Sequence, residues 1–288
     1  MECAGGVIQR MIAGGAGLVT GVLLVTGCGG DGGGEESQKE GKSEASRQSP
    51  AKAVQATNKR TAEAKTAKID LTVTASGSES KTVRGDGVMN LRDGTSRLDM
   101  GIGGEHLQQR VVGSTLYQKL PKKAAAQLPD GKTWSKIDLK KLQARTGGEQ
   151  TGVQNPADSL AYSKSLSEKD VKKLGTENVN GTKTTHYRVR LDLSKLAKGD
   201  AAQEKKLRQQ LGDDVPIELW IDDKGRTRRQ QVEVTVQPSN AAGSATSSKV
   251  KTVVNLSDFG TEVDVEAPPS GKTADMTDQL SQGSGRSA

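Results

Sequence analysis

Two thiols and two imidazoles are the side chains most able to do covalent or proton chemistry here, and their neighbours decide what they can do. His106 follows Gly103-Gly104-Glu105 in a stretch that reads as a loop, with no acid or nucleophile set beside it in a motif. His186 alternates with Thr184 and Arg188, which predicts a solvent-facing position on a strand. No serine stands in a GxSxG elbow, and no glycine-rich phosphate loop follows a strand. Asp222-Asp223 precede Lys224-Gly225, an order better explained by a β-turn than by a metal site. No catalytic residue, metal or cofactor is expected, and the sequence does not read as an enzyme.

Cys28 stands apart from these groups. Arg10 precedes an uncharged run, Met11 to Leu24, of the length expected for the apolar part of an export signal and too short and glycine-rich for a membrane-spanning helix. Val25-Thr26-Gly27-Cys28 follows directly. This string resembles the lipobox of bacterial lipoproteins, in which small residues precede the cut and the thiol takes a diacylglycerol as a thioether. The resemblance implies that residues 1–27 are a removed signal peptide, and that Cys28 anchors the chain to the extracytoplasmic face of the cell membrane. Cys3 then leaves with the signal and acylation consumes Cys28, so neither a disulfide nor a cysteine metal site remains.

The 288 residues carry 27% charged side chains and a formal net charge of +7. Basic and acidic residues are interspersed and the few aromatics form no stacking pattern, which argues against a nucleic-acid partner. Attraction to anionic lipid head groups is the alternative use of the charge, although a merely solvated surface accounts for it more simply. Residues 28–50 hold the lipidated cysteine and a glycine-, serine- and charge-rich linker, whose coil-like reach is roughly 25 Å. Residues 267–288 have a similar composition, with only Met276 and Leu280 as larger apolar residues, and are expected to be a flexible tail. One folded domain is expected over residues 51–266.

That span opens with an alanine-rich helical stretch, 51–66, and then changes to period-two alternation. Ile69, Leu71, Val73 and Ala75 share one face; Val83, Met89 and Leu91, then Leu98 and Met100, continue it through a meander with short turns. Thr133–Asp138 reads as a strand, Leu139–Thr146 as a short helix capped by Asp138, and 157–166 as a helix. Asn180-Gly181 predicts a hairpin. Residues 194–211 are helical in pattern, and strands at 215–222, 226–237 and 249–260 complete a sheet around a polar loop at 238–248. The class expected is α+β, an antiparallel sheet with helices on one face and a polar, solvated opposite face. Trp134 and Trp220 read as packing residues; Trp220 has the opposite parity to Leu219 and Ile221, which leaves its face open.

The second half adds a further resemblance. Gly131-Lys132-Thr133-Trp134, Leu174-Gly175-Thr176-Glu177, Thr184-Thr185-His186-Tyr187, Glu218-Leu219-Trp220-Ile221-Asp222 and Gly225-Arg226-Thr227-Arg228-Arg229 occur in that order. With the lipobox, this resembles the LppX/LprA/LprG family of actinobacterial lipoproteins, related in fold to the LolA and LolB carriers. The resemblance covers roughly residues 50 to 266. It implies a strongly curved antiparallel half-barrel, helices on its concave face, and a cavity between them for the acyl chains of a lipid or glycolipid. Carried over, Leu71, Val73, Leu98, Met100, Leu219 and Ile221 would line that cavity, with Leu160 and Tyr162 covering them. The alternation alone is read more simply as that of a closed core, and the resemblance is what brings the cavity reading level with it. Two function classes follow: a lipid-binding or lipid-carrying envelope lipoprotein, and a ligand-free envelope lipoprotein that senses or binds another protein.

Overall fold

In the computed structural model the described residues are 48–284, apart from 78–79, 146–165, 198, 212–214 and 237–247. The expected helix at 157–166, with Leu160 and Tyr162, the loop at 238–248 and the whole Cys28 segment therefore lie outside or almost outside the described residues.

Helix α1, Pro50–Glu63, starts with proline at its first position, where a missing N–H costs nothing. Its buried residues are small: Ala51, Ala53, Val54, Thr57, Thr61 and Ala62. Small side chains let the helix lie close on the sheet. The Thr57 hydroxyl donates to the Gly225 carbonyl at 2.8 Å, and the Thr227 N–H donates to the Thr61 hydroxyl at 2.9 Å. Buried helix hydroxyls thus satisfy backbone groups at a strand irregularity.

Twelve strands form one sheet: β1 Thr66–Ser76, β2 Ser80–Asn90, β3 Ser96–Ile102, β4 Glu105–Val112, β5 Thr115–Lys119, β6 Trp134–Asp138, β7 Val171–Val179, β8 Thr182–Leu191, β9 Val215–Asp222, β10 Thr227–Val236, β11 Ser248–Ser257 and β12 Thr273–Asp275. Their order is β12-β6-β5-β4-β3-β2-β1-β11-β10-β9-β8-β7. Two antiparallel meanders, β1–β6 and β7–β11, meet where β1 pairs with β11. The sheet is open and curved, with helices on its inner face, as the α+β half-barrel expectation requires. Asn180 and Gly181, at φ 47° and 77°, make the tight β7–β8 hairpin that their types predict.

β2 lies tight against β3 at Gly87. A Cβ there would sit 1.9 Å from the Arg97 carbonyl oxygen of β3, and one at Gly85 would sit 2.6 Å from Met100 Cγ. Glycines inside a strand here mark a backbone contact that no side chain could share.

The turn after β9 is built on Asp222. Its side chain is fully buried and accepts from the N–H groups of Lys224 and Arg226 and from the guanidinium groups of Arg226 and Arg228. The β-turn expected of these acids is present, and among the described residues no cluster could hold a metal ion. Arg226 and Arg228 both lie over the Phe259 ring, at 4.4 and 4.8 Å.

The remaining helices are α2 Lys122–Ala125, α3 Leu139–Arg145, α4 Leu193–Leu196, α5 Ala201–Leu211 and α6 Thr277–Ser284. Asp138 caps α3 through the Lys141 N–H at 3.0 Å. The tail expected to be flexible over 267–288 is instead structured through most of its length. Thr273–Asp275 adds a parallel strand beside β6, and Ala274, Met276 and Thr277 are buried. The two apolar residues in that stretch suffice because the site that receives them is already built: Leu116, Leu128 and Ile137, with Leu139 and Leu142 alongside.

Candidate functional site

Register places the apolar parity of every central strand on one face. One row runs Tyr187, Leu219, Gln230, Val254, Leu71, Gly85, Met100, Leu107 across β8, β9, β10, β11, β1, β2, β3 and β4. Leu71, Leu98 and Met100 belong to one buried cluster with Ile69, Met89 and Leu256. Leu219 and Ile221 belong to another, beneath Ala51, Ala53 and Val54 of α1. The structure therefore brings the six expected lining residues in the described region onto one surface, divided between two neighbouring clusters.

The next row is different. Ile217, Val232, Thr252, Val73 and Val83 are partners in turn across β9, β10, β11, β1 and β2. Thr252 is buried, yet Ile217, Val232, Val73 and Val83 are only half-buried. They lie between those clusters and a third, formed by Leu193, Val215, Val234 and Val250 near α4 and α5. Leu107, at the end of the preceding row, is half-buried too. This apolar strip is partly buried and packs against the fully buried clusters on either side of it. Of its residues only Val73 stood among the expected lining, and alternation places Val83 on the same face; Ile217, Val232 and Thr252 join them through the register.

The outer face carries a polar cluster that overturns the expectation of a solvent-facing His186. The ring is 7% exposed and stacks on Trp220, with centroids 4.0 Å apart and planes 14° apart. Nδ1 lies 2.8 Å from Glu177 Oε1, and Nε2 lies 2.6 Å from Glu218 Oε2. Parity placed His186 on the correct face; its cross-strand partner on β9, Trp220, covers it. The Trp220 indole N–H donates to Glu177 at 2.8 Å, and this bond first, then His186, hold the Glu177 carboxyl below its ordinary range. Arg188 donates to Glu218 at 2.7 Å. With both ring nitrogens engaged by carboxylates, the imidazole as placed has no open position for a reacting group. His106 lies on β4 rather than in a loop, and is exposed. Trp134 also faces outward, under Arg110 at 4.9 Å, where Arg110 donates to the Glu266 carbonyl at 3.0 Å.

Beside this cluster, a polar groove of about 650 Å³ opens on the outer face, lined by Lys169, Lys172, Arg188, Arg190, Glu218 and Glu233 among others. Among the described residues no helix is long and apolar enough to cross a membrane.

No family model matches the chain. A 31.2 kDa protein of Streptomyces griseus, from the rplA–rplJ intergenic region, is 31% identical over 166 residues, 53% of this chain and 51% of that protein. A candidate lipoprotein of Streptomyces coelicolor, SCO4650, is 26% identical over 188 residues, 64% of this chain and 56% of that one. The chain thus spans about half the length of the curated relatives it matches. The crystal structure of the Mycobacterium tuberculosis lipoprotein LppX aligns over 75% of this chain and 99% of its own, with 15% identity and a TM-score of 0.45. The chain is thus similar in sequence to these two Streptomyces proteins, one of them described as a candidate lipoprotein, and shares with LppX only the outline of an antiparallel-sheet fold.

Proposed function

We propose that this chain is an envelope lipoprotein, anchored through Cys28, that holds the acyl chains of a lipid or glycolipid against the inner face of its sheet. The half-buried row of Ile217, Val232, Val73 and Val83 carries this reading. Apolar surface left in contact with water forgoes about 25 cal/mol per Å². An acyl chain laid along the row would recover that, at about 0.8 kcal/mol for each buried methylene. Leu71 and Leu98, in the adjoining cluster of the same face, are each 1% exposed, so this face is less completely covered along the row than beside it.

The test is lipid analysis by mass spectrometry of the mature chain carrying Cys28→Ser, purified gently from its native host, for parent and Val73→Trp. Because Val73 is only partly buried in this row, the larger ring is expected to displace lipid while the melting midpoint stays near that of the parent. Leu98→Trp, placed in the buried cluster, is the contrast: overpacking there typically costs roughly 1–3 kcal/mol. If the parent never carries lipid and Val73→Trp destabilises as strongly as Leu98→Trp, the row is core. The ligand-free interaction domain would then be the better account.

A further inference from the structure

One rim of the sheet gathers the end of the tether and a set of unpaired cations. The first turn of α1 packs beside the turn at 168–170 and the start of β7. Ala51, Ala53 and Val54 share a cluster with Leu166 and Val171, and the Gln55 amide donates to the Leu166 carbonyl at 2.7 Å. The chain arriving from Cys28 therefore joins the fold at this rim. The polar groove opens at the same place, with Lys169 and Lys172 in its wall.

The acids of that groove are occupied. Asp170 accepts from the Ser167 N–H and hydroxyl, at 2.9 and 2.7 Å. Glu218 is held by His186 and Arg188, and Glu233 lies 3.9 Å from Lys249. Lys52, Lys169 and Lys172 are exposed and have no ion pair among the described residues. On the opposite face of the same strands, one residue from groove-lining Pro216 and Gln231, lie Ile217 and Val232 of the apolar row.

We propose that this rim docks onto an anionic phospholipid surface, with Lys52, Lys169 and Lys172 meeting the head groups. Two observations select a membrane as the occupant: the tether ends here, and the free charge is positive. The proposal rests on the lipid-anchored reading for its biological setting.

The experiment is cosedimentation of the mature chain from residue 28, carrying Cys28→Ser, with vesicles of phosphatidylglycerol or of phosphatidylcholine. Without an acyl group, any binding comes from the protein surface. The parent is expected to bind phosphatidylglycerol vesicles and not phosphatidylcholine ones, and to release at about 1 M salt, where charges are screened beyond about 3 Å. Reversing Lys52, Lys169 and Lys172 together to glutamate should weaken binding by at least about a hundredfold, given the contribution of each cation near such a surface. Reversing Lys119, Lys122 and Lys123, exposed at β5 and α2 in the other meander, changes net charge equally and should leave most of the binding intact. Equal loss in the two triple variants, or a parent that does not distinguish the two lipids, would overturn the proposal. Melting curves of each variant confirm that the fold survives. Lipid carriage is measured by co-purification instead, so either idea can fail without the other.

Discussion

At the scale of single residues, the positions that matter most are those where a side chain has no substitute. Gly87 is one. A methyl group at its Cβ would stand 1.9 Å from the Arg97 carbonyl oxygen, so β2 and β3 would have to separate. Gly87→Ala should therefore cost about 3 kcal/mol or more, at the upper end of what overpacking does, measured by urea denaturation. A loss below about 0.5 kcal/mol would mean that the two strands are free to move apart. Neither this contact nor the enclosure of His186 was legible in the sequence. Alternation gave the face of each residue, but the neighbours across the strands come from the register, which no local pattern contains.

At the scale of elements, the C-terminal strand and helix show how a weak segment can be held by a strong receptor. β12 has three residues, and its parallel pairing with β6 is supported by Asp275. Burial pushes the Asp275 carboxyl up, but the Thr277 hydroxyl and N–H and the Lys136 ammonium outweigh it, and the net shift is below the ordinary value of 3.8. A carboxyl with a depressed folded value contributes stability above its unfolded value, and that contribution is lost as pH falls through the folded one. The docking of residues 273–284 should thus weaken below about pH 4, ahead of the central strands. Hydrogen exchange resolved by segment checks this: protection of 273–276 should drop in acid while that of β1 persists. Protection unchanged down to complete unfolding would show that Asp275 contributes nothing to docking. Composition alone misjudged this segment because two apolar residues are too few to nucleate a fold, yet enough to fill a preformed site.

At the scale of the whole molecule, β1 is the joint. It pairs with β2 on one side and β11 on the other, so the first meander joins the second through this one strand pair. Leu71, at its centre and 1% exposed, contacts the cluster shared by the two. Leu71→Ala should cost about 2–5 kcal/mol and lower the stability of both halves together. Trp134 lies in the first meander and Trp220 in the second, which gives one fluorescent reporter for each. In single-tryptophan variants the two denaturation curves should shift equally with Leu71→Ala. Separate transitions would show that the meanders fold independently.

Period-two alternation, turn residues and helix caps determined the class of the fold, most strand positions and the inward set that includes Leu71, Leu98, Met100, Leu219 and Ile221. Those features are local, set by backbone geometry and by which residues tolerate water, so a single chain displays them. The return of β11 to β1, the seating of 273–284 and the burial of His186 under Trp220 were decided by pairings between residues distant in sequence. The half-buried row at Ile217, Val232, Val73 and Val83 was decided the same way. Alternation makes a residue face inward; only the packing of other elements over the sheet determines how completely that inward surface is covered.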